Sequence, residues 1–145
     1  MGLDMYLYAE RYVSDWTEEG KELSNKLFEL TGKRISSFRT EVGYWRKANA
    51  IHKWFVDNCQ GGIDECQTTF VSDEKLEELL ELVNRVLADP KLAPELLPTE
   101  SGFFFGGTEY GEYYIDDLQY TKELIEKVLN DESLQNYDFF YQSSW

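Results

Sequence analysis

The chain opens on a two-residue alternation. Leu3, Met5 and Leu7 are apolar while Asp4, Tyr6 and Tyr8 carry polar atoms, which predicts a half-buried strand over Leu3 to Tyr8. From Thr17 to Leu30 the period lengthens to that of a helix, with Leu23, Leu27 and Leu30 on one face, Gly32 as its stop and Gly20 as its weak point. Ile35 to Val42 returns to alternation with β-branched residues, and Gly43 then predicts a turn into a helix from Tyr44 to about Asn58. On that helix Tyr44, Ala48, Ile51 and Phe55 would form a core stripe. Trp45, Asn49, His52 and Val56 would form a mixed boundary face whose polar groups can line a cavity. Gln60-Gly61-Gly62 ends the segment.

Thr68 to Val71 reads as a short strand, and Ser72 as the N-cap of a helix running to about Ala88, with Asp73 and Glu74 placed to favour the helix dipole. Its apolar face is Leu76, Leu79, Leu80, Val83 and Leu87. Pro90, Pro94 and Pro98 predict an irregular connection. Gly102 to Phe105 reads as a compact apolar strand stopped by Gly106-Gly107. Thr108 to Tyr114 then leads into a helix ending near Asn130, and the aromatic segment Tyr137 to Trp145 predicts a last strand. No repeat or low-complexity linker interrupts this alternation. The pattern predicts a single α+β domain over residues 1–145, a mixed sheet covered by about four helices.

Composition narrows the function classes. With 145 residues, 42% of them apolar, there is material for one core, and an aromatic share of 16% suggests more than core filling. No stretch approaches the roughly 18 apolar residues of a membrane span, and no basic-then-apolar leader opens the chain, so a cytoplasmic location is expected. Cys59 and Cys66 lack ligand spacing, which points away from a zinc site or a disulfide scaffold. The net charge of −14 argues against nucleic acid and anionic membrane as partners. Between Lys33 and Lys53, however, six cations face Glu41 alone, a local +5 that leaves −19 elsewhere. That basic island is where an anionic ligand can bind.

Three constellations could carry chemistry. Tyr44, Trp45, Arg46, Lys47, Asn49 and His52 sit at the predicted strand-to-helix junction, where helix N–H groups and two cations suit an anion and Trp45 offers a stacking surface. The competing reading is a solvated basic turn with aromatic anchors. His52, the only histidine, is alone in titrating near neutrality by type, although a lone helical histidine is more often structural. Thr108, Glu109, Tyr110 and Tyr113 follow the Gly106-Gly107 pair, where the backbone can approach a ligand and carboxylates can accept from hydroxyl or amino groups. A solvated face competes there. The apolar tail with Gln142, Ser143 and Trp145 suggests docking, for stability or ligand contact. No catalytic motif and no catalytic residue stands out, no cofactor is implied, and Glu77, Glu78, Glu81, Asp116 and Asp117 read as solvated acids rather than a metal cage.

The strings MGLDMYLY, EVGYWRKANAIHKWF, SGFFFGGTEY and FYQSSW, spread over nearly the whole chain, resemble a family of small phage and bacterial proteins. The resemblance implies a phage setting and, with it, an anti-defence role inside a host cell. Two forms of that role arise. One is sequestration, without cleavage, of a nucleotide-derived immune signal such as a cyclic nucleotide or an ADP-ribose derivative, with phosphates on Arg46 and Lys47 and a base on Trp45 or Tyr110. The other is direct contact with a host defence protein through the acidic surface. A third reading is an enzyme that cleaves the ligand, with His52 as acid/base beside Glu109 or Glu112. A homo-oligomer is left open.

Overall fold

The structure is a computed structural model describing residues 2–145. Its strands are β1 (Asp4–Tyr12), β2 (Ser37–Arg46), β3 (Thr69–Val71) and β4 (Asp138–Ser144). Its helices are α1 (Glu18–Thr31), α2 (Asn49–Cys59), α3 (Asp73–Ala88), the single turn α4 (Ala93–Leu96) and α5 (Glu112–Leu129). The fold is α+β, as the residue pattern predicts. The sheet has the order β2-β1-β4-β3, and every pairing is antiparallel, where a mixed sheet was expected. The physical reason lies in the connections. α1 is inserted between β1 and β2, which nonetheless pair as an antiparallel ribbon, and the last strand returns between β1 and β3.

Alternation does what it predicted on β1. Leu3, Met5, Leu7 and Ala9 are fully buried, while Asp4, Tyr6, Tyr8 and Glu10 face the other way and stay half-exposed. The buried face meets α2 and α5. The Phe55 ring lies parallel to that of Tyr141 at 4.0 Å, and Trp45 Nε1 donates to Thr121 Oγ1 at 2.8 Å. α3 packs outside against α5 through the leucine-rich stripe expected of it, with Leu76, Leu79 and Val83 fully buried. Its Ser72 cap accepts from the Lys75 N–H, an interaction of the kind worth about 1 kcal/mol.

Two element assignments are corrected. The helix expected from Tyr44 begins at Asn49, because β2 continues to Arg46 and pairs with β1 along its whole length. A bulge at Val42, between the pairs Leu7–Gly43 and Tyr8–Glu41, resets the alternation and sends Trp45 inward and Tyr44 outward. Tyr44 is therefore 39% exposed rather than part of a core stripe, and Trp45 reaches the core from a strand. Gly43 is not a stop. A Cβ there would lie 2.4 Å from Leu124 Cδ2, so the bare backbone makes room for α5. The second correction concerns Gly102 to Phe105, which is a turn and not a strand. Phe105 N–H bonds back to the Gly102 carbonyl, Phe104 O accepts from Leu3, and Gly106 is left-handed at φ 84°, so no ladder can run through the segment. Smaller differences are that β2 starts at Ser37 and that the proline-rich connection contains a 3-10 turn and α4. No helix is long and apolar enough, among the described residues, to cross a membrane.

Candidate functional site

The site is built by one buried side chain that folds a glycine-rich loop over two helix starts. Asn49, the first residue of α2, is 3% exposed. Its amide nitrogen donates to the carbonyls of Phe105 (2.9 Å) and Gly107 (2.8 Å), and its oxygen accepts from the Glu100 N–H (2.9 Å). Both nitrogen partners are carbonyls, so only this amide orientation satisfies the group. Thr99 Oγ1 donates to the Thr108 carbonyl and fastens the far end of the same loop. Asn49 and Thr108 are thus occupied in shaping the loop.

Beneath the loop lies a cavity of about 320 Å³. Its lining combines the apolar Ala48, Ala50, Ile51 and Leu118 with the cations Arg46 and Lys47 and the carboxylates Glu109, Glu112 and Asp117. Gly106, Gly107 and Gly111 bring bare backbone to its rim. The starts of α2 and α5 both open onto it, at Ala48 and Gly111, and neither has a side-chain cap. First-turn N–H groups of a helix have no intrahelical acceptor, and the positive end of the dipole favours an anion. Lys47 is held at φ 57°, its N–H on the Leu3 carbonyl at 2.7 Å, and it makes no ion pair among the described residues. Arg46 is shared with Asp4 at 2.8 Å; the Tyr44 hydroxyl donates to the same carboxylate, and this bond, ahead of Arg46 itself, holds Asp4 below its ordinary value.

Asp117 is the member that the residue pattern assigned to solvent. Burial, with a smaller push from Asp116, raises its carboxyl to about 6. Tyr113, by contrast, is 88% exposed at the mouth and offers a free ring. Trp45 cannot stack on a ligand, being 3% exposed with its N–H on Thr121. Tyr110 lies edge-on to Tyr114 at 5.0 Å, and its hydroxyl accepts from the Thr99 N–H.

The remaining expected residues gather elsewhere. His52 is fully buried, with Nδ1 2.6 Å from the Tyr141 hydroxyl and Nε2 2.9 Å from Asp64 Oδ2. A hydrogen bond accepted from the Tyr141 hydroxyl at Nδ1 and one donated to Asp64 from Nε2 satisfies all three groups. Asp64 Oδ1 accepts from Trp145 Nε1 at 3.0 Å, which ties the chain end to the loop after α2 although the indole is half-exposed. Burial, and then the Asp64 charge, push the Tyr141 phenol well above its usual value. His52 is thus a structural relay sealed from the cavity, not an acid/base facing it, and the mixed boundary face expected around it is core. Ser143 is buried with its Oγ unpartnered, and Gln142 reaches the Cys66 carbonyl. Neither lines the cavity. No cluster of three or more potential metal ligands occurs among the described residues.

Asp64 and Asp117 escaped the reading of the residues. Asp64 lies in an aperiodic loop and carries no signal. Asp117 had one, since it follows Tyr114 by three positions on the edge of the buried Tyr114, Leu118 and Thr121 stripe. Compared with protein-family models, curated proteins and solved structures, the chain matches none.

Proposed function

We propose that the protein binds a small phosphate-bearing molecule, one nucleotide unit in size, in this cavity and sequesters it without cleaving it. The observation that carries the reading is the convergence of Lys47, Arg46 and two uncapped helix starts on one 320 Å³ cavity. Small-molecule sites run from about 300 to 1,000 Å³, so the volume suits a single nucleotide moiety better than a whole cyclic dinucleotide. Phosphate oxygens fit Arg46, Lys47 and the helix N–H groups. Glu109 and Glu112 can accept from ribose hydroxyls or a base amino group, and the exposed Tyr113 can stack on the base, a contact worth about 1–3 kcal/mol. In the phage setting implied by the family resemblance, such a ligand is a nucleotide-derived immune signal, and removal from solution is enough to silence it.

The test is calorimetric titration of AMP, cyclic AMP and ADP-ribose, followed by heat denaturation and chromatography of the released compound. Binding by at least one ligand, weakened about 10- to 100-fold in Lys47→Met and followed by intact recovery, supports sequestration. Absence of binding, or equal affinity in a folded Lys47→Met protein, removes it. Asp117 favours a second reading, hydrolysis, because a carboxyl at about 6 on a cavity wall is suited to proton transfer near neutrality. A new product peak that Asp117→Asn abolishes would put that reading first.

A further inference from the structure

The face of the sheet turned away from α2 and α5 carries a continuous aromatic surface. The antiparallel register places Phe70, Phe140 and Tyr8 in one cross-strand row, and Gln142, Tyr6 and Tyr44 in the next. The rings touch in two groups, the three tyrosines and the two phenylalanines, with Phe140 opposite Tyr8 in the register. Tyr6 and Tyr8 are parallel at 5.7 Å, Tyr6 and Tyr44 lie 5.3 Å apart, and Phe70 meets Phe140 edge-on at 5.9 Å. Tyr44 and Phe70, at the two sides, are exposed, and the rings between them are half-buried. Rings of this kind are normally covered, since each buries a large apolar area when it finds a partner.

Charge decides what covers them. In the next row Glu10 of β1 stands between Asp138 of β4 and Arg39 of β2, and Glu41 stands opposite Tyr8 in the first row. Like charges opposite one another on a sheet destabilise it, and neither Glu10 nor Asp138 makes an ion pair among the described residues. A cation set between them would remove that repulsion. Arg39 does not fill that role: it makes no ion pair with Glu10, and its Cζ lies 3.9 Å from the centre of the Tyr8 ring, so this face already holds one guanidinium on an aromatic and the rings without one are Tyr6 and Tyr44. Aromatic faces bordered by unneutralised carboxylates are complementary to arginine, and they repel phosphate. We propose that this open face docks an arginine-bearing segment of a partner protein, with guanidinium groups on the Tyr6 and Tyr44 rings and against Glu10, Glu41 and Asp138. The site is separate from the cavity and does not depend on the ligand assigned there.

The probe is an acetylated, amidated peptide of three arginines alternating with glycine, titrated into the isotopically labelled protein at low salt. The expected result is a set of NMR shift changes confined to β1, β2 and β4 around Tyr6, Tyr8 and Glu10, weakening as salt rises. Glu10→Gln with Asp138→Asn should lower affinity at least fivefold, and because it relieves a repulsion it should not unfold the sheet. Tyr6→Leu, which keeps the apolar bulk, loses the ring and leaves Arg39 on Tyr8, should lower it two- to fivefold. Glu77→Gln, Glu78→Gln and Glu81→Gln together, on the exposed side of α3, should leave it unchanged. An equal loss in the α3 variant, shifts spread over all acidic surfaces, or preferential binding of oligo-dT or of a second copy to this face would each overturn the proposal.

Discussion

Asp117 and Asn49 show how differently two polar groups at one cavity can be employed. Asn49 uses both amide protons and its oxygen on the loop, so its part in any ligand site is to hold Gly106 and Gly107 in place. Asp117 carries the opposite signature, a carboxyl raised to about 6 because its charged form is poorly solvated. The unfolded chain titrates near 3.9, so the folded state binds this proton more tightly than the unfolded one. Its contribution to stability is therefore fully present below about pH 4, declines as pH rises to about 6, and is absent above. Asp117→Asn removes that dependence. The variant should be more stable than the parent by about 1 kcal/mol at pH 7, a figure reduced for solvent screening of a partly exposed group, and the two should converge towards pH 4. Urea denaturation of both proteins across that range gives the difference directly. A difference that stays constant with pH would show that the carboxyl is not raised.

Among the elements, β2 and its neighbour α5 decide how the site is placed. The strand must extend past Gly43 for Arg46 and Lys47 to reach the cavity, and it does so because Gly43 leaves space for Leu124 on α5. Gly43→Ala should therefore cost about 1–3 kcal/mol by overpacking. Adding Leu124→Ala should cost less than the single changes imply, since the new methyl enters the space the leucine vacates; additive losses in denaturation midpoints would reject the contact. The same strand marks what was legible beforehand. Periodicity gave β1, α3, α5 and β4 correctly, because each keeps one period from end to end and buries one face. It failed at Tyr44, which stands at helical spacing before Ala48, Ile51 and Phe55 but lies on the exposed face of a strand, whereas those three are buried as the stripe requires. It failed again at Phe103 to Phe105, where apolar residues serve a turn that only Phe105 buries. Arg46, Lys47, Asn49, Glu109 and Tyr113 were named from residue type and do line one cavity, whereas His52 and Trp145 belong to a separate hydrogen-bonded network through Asp64. The pairings that separate these groups are long-range, and no local pattern reports them.

For the molecule as a whole, the central sheet is closed by residues from opposite ends of the described chain. β1 and β4 are its two inner strands, and their register sets Asp4 opposite Ser144, so the two positions lie side by side although 140 residues apart. That pairing gives the fold a long-range contact that forms only after a large loop closes, which slows folding relative to a protein of local contacts. It also means that the order of segments can change without changing the fold. Residues Gly32 to Arg34, between α1 and β2, are exposed, and Gly32 has open space around it, so the chain can be cut there at little cost. A permutant that joins residue 145 to residue 1 by a short glycine-serine linker and opens between Lys33 and Arg34 should fold to the same structure. The join replaces a costly closure by a local hairpin, so it should also refold faster than the parent. Stopped-flow refolding, followed by tryptophan fluorescence, and a far-ultraviolet spectrum matching the parent's measure both points. Deleting residues 138–145 is the contrasting variant: it removes the strand that joins β1 to β3, together with the Tyr141 partner of His52, and should abolish cooperative unfolding. A permutant that fails to fold, or a truncated chain that still melts in one sharp transition, would show that the β1–β4 pairing is not what closes the structure.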